Sequence, residues 1–326
     1  MKKKLIFIIS LPRSGSTLLQ RMLSSHHQIC STSECWFLLP LIYMQKENGI
    51  MTEYGHAGSY NAIHDLCREL PGRDDDFNES IRLAASHLYT KLAPDENTYF
   101  LDKTPRYYLI IPEILQLFPD AKFIFLTRNP LAILSSIVHT WCKNGLRLHR
   151  NYIDLITGPE LMVKGWNMLG KERAIQISYE DLLQDPEHAL EKACTYLDIK
   201  MEPGMLHDFN KVLLNGSQGD KSYLKKGDSL DQTSLLKWRD TFNTRYRKRF
   251  ALNYLNKLGD SVISTSGYDV TDLKAEVDSI TPVFSLGIKD RIDVAIAFMI
   301  RVLDLTFYRK KWQGAKKMSK PPYIHY

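Results

Sequence analysis

The sequence predicts an α/β fold in which helices cover both faces of a parallel sheet. Short apolar, β-branched runs at 5–9, 122–126 and 174–177 are each followed, within a few residues, by a helical pattern. Alternating β and α elements joined by short links are typical of a parallel sheet buried between helices. A chain of 326 residues is long enough for one such core with an appendage.

The first predicted strand, at 5–9, leads into a loop of small residues and then a helix at 17–23. Backbone N–H groups and the helix dipole converge at such a loop, so it can hold an anionic group. Gly15 lets the backbone approach closely, Ser16 adds a hydroxyl donor and Arg13 supplies positive charge. The pattern is not a Walker A loop, because a single Gly follows the cation. An ordinary βα turn with a surface Arg is the alternative interpretation.

A short second strand is predicted at 29–31, and Glu34 lies just past its end. Ligands of open parallel sheets bind at the carboxyl ends of strands, so Glu34 is a candidate general base. An acid that merely suits a helix N-terminus explains it equally well. Helices at 62–70 and 77–92 follow, and the three acids at 74–76 are predicted to cap the second of them rather than to bind metal.

Two later segments place cations near strand ends. Lys103 follows an apolar run, and the strand at 122–126 ends shortly before Arg128, with a helix beginning near Pro130. Because connected parallel strands point one way, we expect Arg128 at the same sheet edge as Arg13. Two arginines and a lysine at one edge predict a ligand with more than one anionic group.

Charge and cysteine content narrow the function classes. Residues 301–326 hold seven Lys or Arg against one Asp, a difference that accounts for the whole net charge of +6. The rest of the chain is formally neutral, which disfavours a nucleic-acid-binding core. No apolar stretch reaches the roughly 20 residues of a membrane span. Five scattered cysteines without a Cys-x-x-Cys pair indicate neither a zinc site nor a disulfide framework, so a reducing, cytoplasmic location is expected.

Together these motifs resemble those of the sulfotransferases that use 3′-phosphoadenosine 5′-phosphosulfate (PAPS). The first loop is similar to the 5′-phosphosulfate loop of Arg-bearing Golgi-type and bacterial members. Arg128 and Ser136, eight residues apart in an Arg-Asn-Pro pattern, resemble the 3′-phosphate motif. The resemblance implies a P-loop NTPase-like three-layer fold with a central parallel sheet and helical insertions, PAPS as co-substrate, and no metal. It also implies that the first loop binds the donor through Arg13, Ser14, Gly15, Ser16, Thr17 and Leu18.

The catalytic assignments also come from the resemblance. Lys103-Thr104 looks like the Lys-Thr-His block of cytosolic members, whose Lys contacts the phosphosulfate, but Pro105 replaces the catalytic His. In members without that His, a Glu after the first helix is the base, which implies this role for Glu34. Arg13 and Lys103 would stabilise the developing negative charge. Weaker candidates for the base are Asp102, His26 and His139.

Two further segments resemble the family less strongly. Residues 174–182 are similar to a Tyr-Glu-Asp-Leu stretch whose Tyr lies near the adenine, which implies that position for Tyr179; from the residues alone, Tyr179 is a core residue. Lys225-Lys226-Gly227 and Trp238-Arg239 are faintly like a loop that closes over the 3′-phosphate. A solvated charge cluster is an equal alternative for that segment.

The resemblance covers about residues 4–250, so we expect a sulfotransferase domain at 1–260 and a helical extension with a basic tail at 261–326. A helix is predicted in the extension, with an apolar face followed by Arg309-Lys310-Lys311. Such a helix could make peripheral contact with an anionic membrane or pack on the domain. The residues of this apolar face are Ile288, Ile292, Ile296, Met299 and Leu303.

The sequence thus predicts an enzyme that transfers a sulfuryl group from PAPS to an acceptor hydroxyl, with Glu34 as general base. Carbohydrate is the preferred acceptor, because the chain resembles carbohydrate-acting members and lacks the catalytic His. A phenol or another small molecule with a hydroxyl is the alternative, since the aromatic residues of the helical insertions suit either kind of acceptor. The alternatives are a P-loop nucleotide kinase or phosphotransferase and a non-catalytic adenine-nucleotide sensor. A kinase would need a metal-holding acid and a Walker Lys, and neither is clear in the sequence.

Overall fold

A computed structural model describes residues 4–50, 52–93, 99–216, 218–219 and 230–303. Within these ranges one sheet of five parallel strands has the order β2-β3-β1-β4-β5. The strands are β1 (Lys4–Ser10), β2 (Ile29–Ser31), β3 (Tyr99–Lys103), β4 (Lys122–Thr127) and β5 (Ala174–Ser178).

Helices connect the strands and extend the chain beyond them. Those that the structure describes are α1 (Ser16–Ser24), α2 (Leu38–Tyr43), α3 (His56–Glu69), α4 (Asp74–Leu92), α5 (Ile111–Leu117), α6 (Pro130–Thr140), α7 (Gly158–Arg173), α8 (Tyr179–Gln184), α9 (Pro186–Leu197), α10 (Gly204–His207), α11 (Trp238–Thr241), α12 (Arg245–Leu258), α13 (Asp260–Thr265), α14 (Val270–Ser279) and α15 (Ile288–Val302). The acids at 74–76, predicted to precede a helix, form the first turn of α4.

The central strand β1 sets the position of the other elements. It pairs in parallel with β3 on one side, where Ile8 is opposite Lys103, and with β4 on the other, where Ser10 is opposite Leu126. The carboxyl ends of these three neighbouring strands therefore meet at one edge of the sheet. This confirms the predicted parallel arrangement.

The sheet separates two apolar cores, because successive side chains of a strand point to opposite faces. Phe7 and Phe123 lie in one core, which α4 to α7 and α12 cover. Ile6, Ile8 and Ile124 lie in the other, which α1 and α9 cover. Helix, sheet and helix thus form the predicted three layers.

The C-terminal helices continue the first core rather than forming a core of their own. Ile263 of α13 and Leu273 and Val277 of α14 are buried in the same apolar cluster as Phe7. This packing joins α13 and α14 to the sheet through α12 and α7.

Helix α15 attaches to the domain by its polar face. Asp290 pairs with Arg247 at 2.8 Å, and Asp293 pairs with Arg147 at 2.9 Å. Both acids are buried, but the side chain of Arg147 is 49% exposed, so only the pair of Arg247 and Asp290 is shielded from solvent on both sides. The apolar face faces outward instead of packing, and more than half of each of four of its side chains is exposed: Ile288, Ile292, Met299 and Leu303.

Some predictions lie outside the described residues. These are the Lys225-Lys226-Gly227 segment and the basic tail beyond residue 303. Among the helices of the described ranges, none combines the length and the apolar content needed to cross a bilayer.

Replacing Phe7 by Ala tests the first core. Phe7 is fully buried and its ring contacts those of Tyr89, Tyr107, Phe118 and Phe123. We expect urea denaturation to show a loss of about 3–5 kcal/mol in the free energy of unfolding, as for other large core truncations. Phe284→Ala, at a side chain that is 90% exposed, is the matched control and should change stability by less than about 0.5 kcal/mol. Equal effects of the two variants would contradict the assignment of Phe7 to the core.

Candidate active site

The loop between β1 and α1 is a tight turn whose conformation requires a glycine. Gly15 has φ of 89° and immediately precedes α1, and Arg13 has φ of 69°. The N–H of Leu18 donates to the Gly15 carbonyl at 2.9 Å, which starts the helix directly after the loop. The side chains of Ser14, Ser16 and Thr17 are buried. The backbone therefore wraps closely around these hydroxyls at the N-terminal end of α1.

Tyr179 lies directly over this loop. A Cβ atom added at Gly15 would lie 2.2 Å from Cδ2 of Tyr179, so no larger residue fits beneath the ring. The guanidinium of Arg128 lies 4.1 Å from the centroid of the same ring. Tyr179 is buried within the second core, as the residues alone predicted, and its ring also contacts the loop and Arg128.

The two phosphate motifs predicted from the sequence contact each other. Nε of Arg13 donates to Oγ of Ser136 at 3.0 Å, across 123 residues of chain. Nη1 of Arg128 donates to the carbonyl oxygen of Arg13 at 2.9 Å. Asn129 fixes the start of α6 by accepting hydrogen bonds from the first N–H groups of that helix. The loop and the N-terminal half of α6 therefore form one continuous cationic surface.

Glu34 and Lys103 form an ion pair at the same edge of the sheet. Nζ of Lys103 donates to Oε1 of Glu34 at 2.8 Å and lies 3.4 Å from Oγ1 of Thr17. Nε1 of Trp36 donates to the other oxygen of Glu34 at 2.9 Å. The side chains of Lys103 and Glu34 are 1% and 10% exposed. The carboxylate, the ammonium and a loop hydroxyl are thus adjacent in a nearly dry environment.

Asp102 belongs to a buried network, which makes it unsuitable as a base. Its carboxylate accepts hydrogen bonds from the hydroxyls of Tyr89, Tyr107 and Thr104. Burial raises the pKa of Asp102, and the hydrogen bonds from the hydroxyls oppose that shift. Thr104 in turn accepts a hydrogen bond from the N–H of Trp36. The network therefore positions Trp36, whose indole N–H donates a hydrogen bond to Glu34.

The two histidines considered as bases have other partners. His26 follows the C-terminal end of α1, about 13 Å along the helix from the loop at 1.5 Å per residue, and one of its ring nitrogens contacts the Lys200 carbonyl. With His27 and Glu202, His26 forms a group that could hold a metal ion at that distant end. His139 is hydrogen-bonded to Oγ1 of Thr241 at 2.8 Å.

Leu18 differs from its predicted role in donor binding. Its side chain is fully buried in the second core, and its N–H already donates to Gly15. The apolar face of α1 explains this placement, because residues 18, 19, 22 and 23 all point to the sheet. The structure assigns the side chain of Leu18 to packing.

Several polar atoms at the loop have no hydrogen-bond partner within the described residues. They are Oγ of Ser10, Oγ of Ser14 and Nε of Arg128, all buried. Buried polar atoms are normally satisfied, so this set fits an anionic ligand held between the loop and Arg128. Sequence reasoning missed Ser10, although a small polar residue that ends an apolar strand just before the loop was a usable signal. The sequence places Trp36 beside Glu34, but the hydrogen bond from its indole N–H to the carboxylate appears only in the structure.

A double-mutant cycle tests the contact between Gly15 and Tyr179. Gly15→Ala should lower the free energy of unfolding by about 2–5 kcal/mol, since it adds both left-handed strain and a clash with the ring. Tyr179→Ala removes the clash, so the double variant should recover part of that loss, with a coupling of about 0.5–3 kcal/mol. Gly259→Ala is the control, because φ there is 80° but nothing lies within 4 Å of an added Cβ. Additive effects at Gly15 and Tyr179 in urea denaturation would contradict the contact.

Two related proteins align with most of this sequence. Nodulation protein NoeE of Sinorhizobium fredii is 28% identical over 256 residues, which cover 72% of this chain and 59% of that protein. A putative protein-tyrosine sulfotransferase of Caenorhabditis briggsae is 24% identical over 293 residues, which cover 84% of this chain and 92% of that protein. The chain therefore spans less than two thirds of NoeE but nearly all of the nematode protein.

Solved structures establish the fold. The sulfotransferase domain from the curacin biosynthetic pathway has a TM-score of 0.51 and 20% identity, and covers 86% of this chain and 99% of that domain. The sulfotransferase domain of the Synechococcus PCC 7002 olefin synthase also has a TM-score of 0.51, with 24% identity, and covers 73% of this chain and 89% of that domain. These matches confirm the predicted P-loop-like α/β fold.

A family model also matches the sequence directly. It is described as the sulfotransferase family, and it matches residues 6–203, well over half of the chain. The matched range contains the loop, Glu34, Lys103 and the Arg128–Ser136 pair. The chain therefore belongs to the sulfotransferase family, the PAPS-dependent enzymes that its motifs resemble.

Proposed function

We propose that this chain transfers the sulfuryl group of PAPS to an acceptor hydroxyl, with Glu34 as general base. The observation that carries the proposal is the contact of Glu34 with Lys103 at 2.8 Å, beside Thr17 of the loop. It places a proton acceptor next to two groups that can stabilise negative charge. The pair is buried, so water does not weaken these interactions as it would at the surface.

The loop and the start of α6 are suited to bind the 5′-phosphosulfate and the 3′-phosphate of the donor, respectively. Arg13, Ser14, Gly15, Ser16 and Thr17 would surround the 5′-phosphosulfate with N–H groups, hydroxyls and one guanidinium. Arg128 and Ser136 would bind the 3′-phosphate, and Tyr179 would lie near the adenine. Oγ of Ser14 and Nε of Arg128 are buried and have no hydrogen-bond partner in the described part of the chain, which supports this assignment because an anion would satisfy both.

Glu34 would accept the proton of the acceptor hydroxyl as the acceptor oxygen bonds to sulfur. The bond from sulfur to the bridging oxygen of the 5′-phosphate breaks, and that oxygen keeps the electron pair. Arg13 and Lys103 stabilise the charge that develops there. Protonation of Glu34 weakens its attraction for Lys103, so the ammonium becomes available to the leaving phosphate when charge accumulates on it.

The charges at the strand ends favour sulfuryl transfer over a nucleotide kinase. The strands β3, β1 and β4 end in or lead to Lys103, Arg13 and Arg128, whereas a kinase holds its metal with an acid at this edge. Of the acids at this edge, Asp102 accepts three hydroxyl hydrogen bonds inside the core and Glu34 is paired with Lys103. Glu180 accepts hydrogen bonds from the N–H of Asn129 and the hydroxyl of Tyr268. The carboxylates of all three are thus engaged by other groups of the protein.

The acceptor site would lie where Asn215 and Gly219 pass the proposed base. Oγ1 of Thr32 donates to the Asn215 carbonyl, and a Cβ added at Gly219 would lie 4.0 Å from Oε1 of Glu34. We propose a carbohydrate hydroxyl as the acceptor, on the basis of the missing catalytic His. A tyrosine hydroxyl is the second candidate, since the nematode relative is named a putative protein-tyrosine sulfotransferase.

Glu34→Gln tests the base. We expect turnover with radiolabelled sulfate donor to fall by about 10²- to 10⁴-fold, the usual contribution of a general base, while nucleotide binding is retained. Glu113→Gln is the matched control, because Glu113 also pairs with a lysine, Lys46, but lies outside the site. Full turnover by Glu34→Gln would exclude Glu34 as the base. If the chain is a nucleotide sensor without catalysis, neither the original protein nor Glu34→Gln would show turnover.

Thermal denaturation with nucleotides tests the donor. We expect 3′,5′-diphosphoadenosine, without metal, to stabilise the protein by about 2.7 kcal/mol at 100 times its dissociation constant. AMP should stabilise it less, because it lacks the 3′-phosphate. Arg128→Gln should abolish the difference between the two nucleotides, whereas Arg173→Gln, at an exposed arginine on α7, should preserve it. Stabilisation by ATP and magnesium alone would support the kinase instead.

A further inference from the structure

A cavity lies away from the loop. It has a volume of about 740 Å³ and lies between α12, α15 and residues 146–156. Leu134 of α6 lines the cavity. Side chains two positions apart in an α-helix point in directions about 200° apart, so Ser136 lies on the opposite side of α6 from Leu134. The cavity is therefore separate from the site proposed for the donor. Its volume is within the range of about 300–1,000 Å³ that is usual for small-molecule sites.

The lining changes from apolar to cationic between the floor and the mouth. Leu134, Leu146 and Leu155 are buried at the floor. Within the described residues, no Asp or Glu lines the cavity. Five exposed cations surround the mouth: Arg245, Arg249, Lys257, Arg291 and Arg301.

These cations differ from the neighbouring arginines that hold α15. Arg247 is paired with a buried acid, whereas the five at the mouth form no ion pair with any acid that the structure describes. Arg301 and Lys257 instead lie 4.1 and 4.7 Å from the ring centroid of Tyr152. Lys257, and then Arg301, lower the pKa of Tyr152 against the effect of burial. The mouth is therefore a region of positive potential without a compensating acid.

We propose that this cavity binds a single-chain lipid phosphate as a monomer. The apolar floor suits an alkyl chain, whose burial is favourable in proportion to its area. Clustered guanidinium groups suit a phosphate, because arginine can bind its oxygens through two parallel hydrogen bonds. The chain's own residues 304–326 do not fit this role, since they carry six Lys or Arg and one Asp and would be repelled by the mouth. The inference uses none of the residues assigned to sulfuryl transfer.

Isothermal titration calorimetry with the full chain tests the proposal. The probe is dodecyl phosphate below its critical micelle concentration, with inorganic phosphate and dodecyltrimethylammonium as comparison compounds. We expect dodecyl phosphate to bind at least about tenfold more tightly than either, a difference of about 1.4 kcal/mol. Equal affinity for the ammonium compound would overturn the role of the cations, and equal affinity for inorganic phosphate would overturn the role of the apolar floor.

Two pairs of matched variants locate the binding site. Ala297→Trp fills the cavity, whereas Ala295→Trp places the same ring on an exposed position of the same helix. The double variant Arg249→Gln and Arg291→Gln removes two charges from the mouth, and Lys289→Gln removes one exposed charge of α15 outside it. We expect the first member of each pair to weaken dodecyl phosphate binding at least tenfold and the second to leave it unchanged.

Three results would overturn the proposal. Unchanged affinity in both Ala297→Trp and the arginine double variant would place binding elsewhere on the protein. Equal losses in the arginine double variant and Lys289→Gln would indicate a non-specific charge effect, and equal losses in the two tryptophan variants would show that binding does not depend on filling the cavity. If the protein fails to bind monomeric dodecyl phosphate and yet sediments with phosphatidylcholine vesicles that contain phosphatidic acid, that result would assign the surface to membrane binding instead. Circular dichroism of each variant shows which of them are folded. If one variant is unfolded, the other pair of variants still tests the site.

Discussion

The parallel pairing of β1 between β3 and β4 is the constraint on which the candidate active site depends. It brings three strand ends to one edge, and with them Lys103, Arg13 and Arg128. Such a cluster of positive charge is unfavourable unless it is compensated. Glu34 pairs with Lys103, and the ring of Tyr179 and the carbonyl oxygen of Arg13 each contact Arg128. Lys103 and Arg128 are thus fixed in place, and Arg13 by its hydrogen bond to Ser136, while buried polar atoms beside the loop have no partner among the residues that the structure describes.

The first apolar core positions Glu34, the proposed base, through a chain of hydrogen bonds. Asp102 is held by two buried tyrosine hydroxyls and accepts a third hydrogen bond from Thr104, which accepts from the N–H of Trp36. The indole of Trp36 then donates to Glu34. Because a buried, satisfied network is rigid, the carboxylate of Glu34 is held at the mouth of the loop rather than left to rotate in solvent. Packing of the core and chemistry of the site are coupled at this point.

The C-terminal helix shows how charge pairing can reverse an amphipathic pattern. Its sequence has an apolar stripe that normally faces a core, yet the pairs of Asp290 and Asp293 with arginines lie on the side of the helix that meets the domain. The apolar face is then exposed. At the mouth of the cavity beside α12 lie arginines that form no ion pair with an acid of the described residues.

The sequence by itself determined the order of strands and helices, the loop around Gly15 and the cations at one edge of the sheet. These depend on local periods, small residues and the single direction of parallel strands. Only the tertiary structure decided the pairing of Glu34 with Lys103, 69 residues away, the placement of Tyr179 over Gly15, and the outward apolar face of α15. It also assigned Leu18 to the core. Such contacts join distant segments, so they depend on how whole layers pack and on which charges are buried together, and no local pattern contains that information.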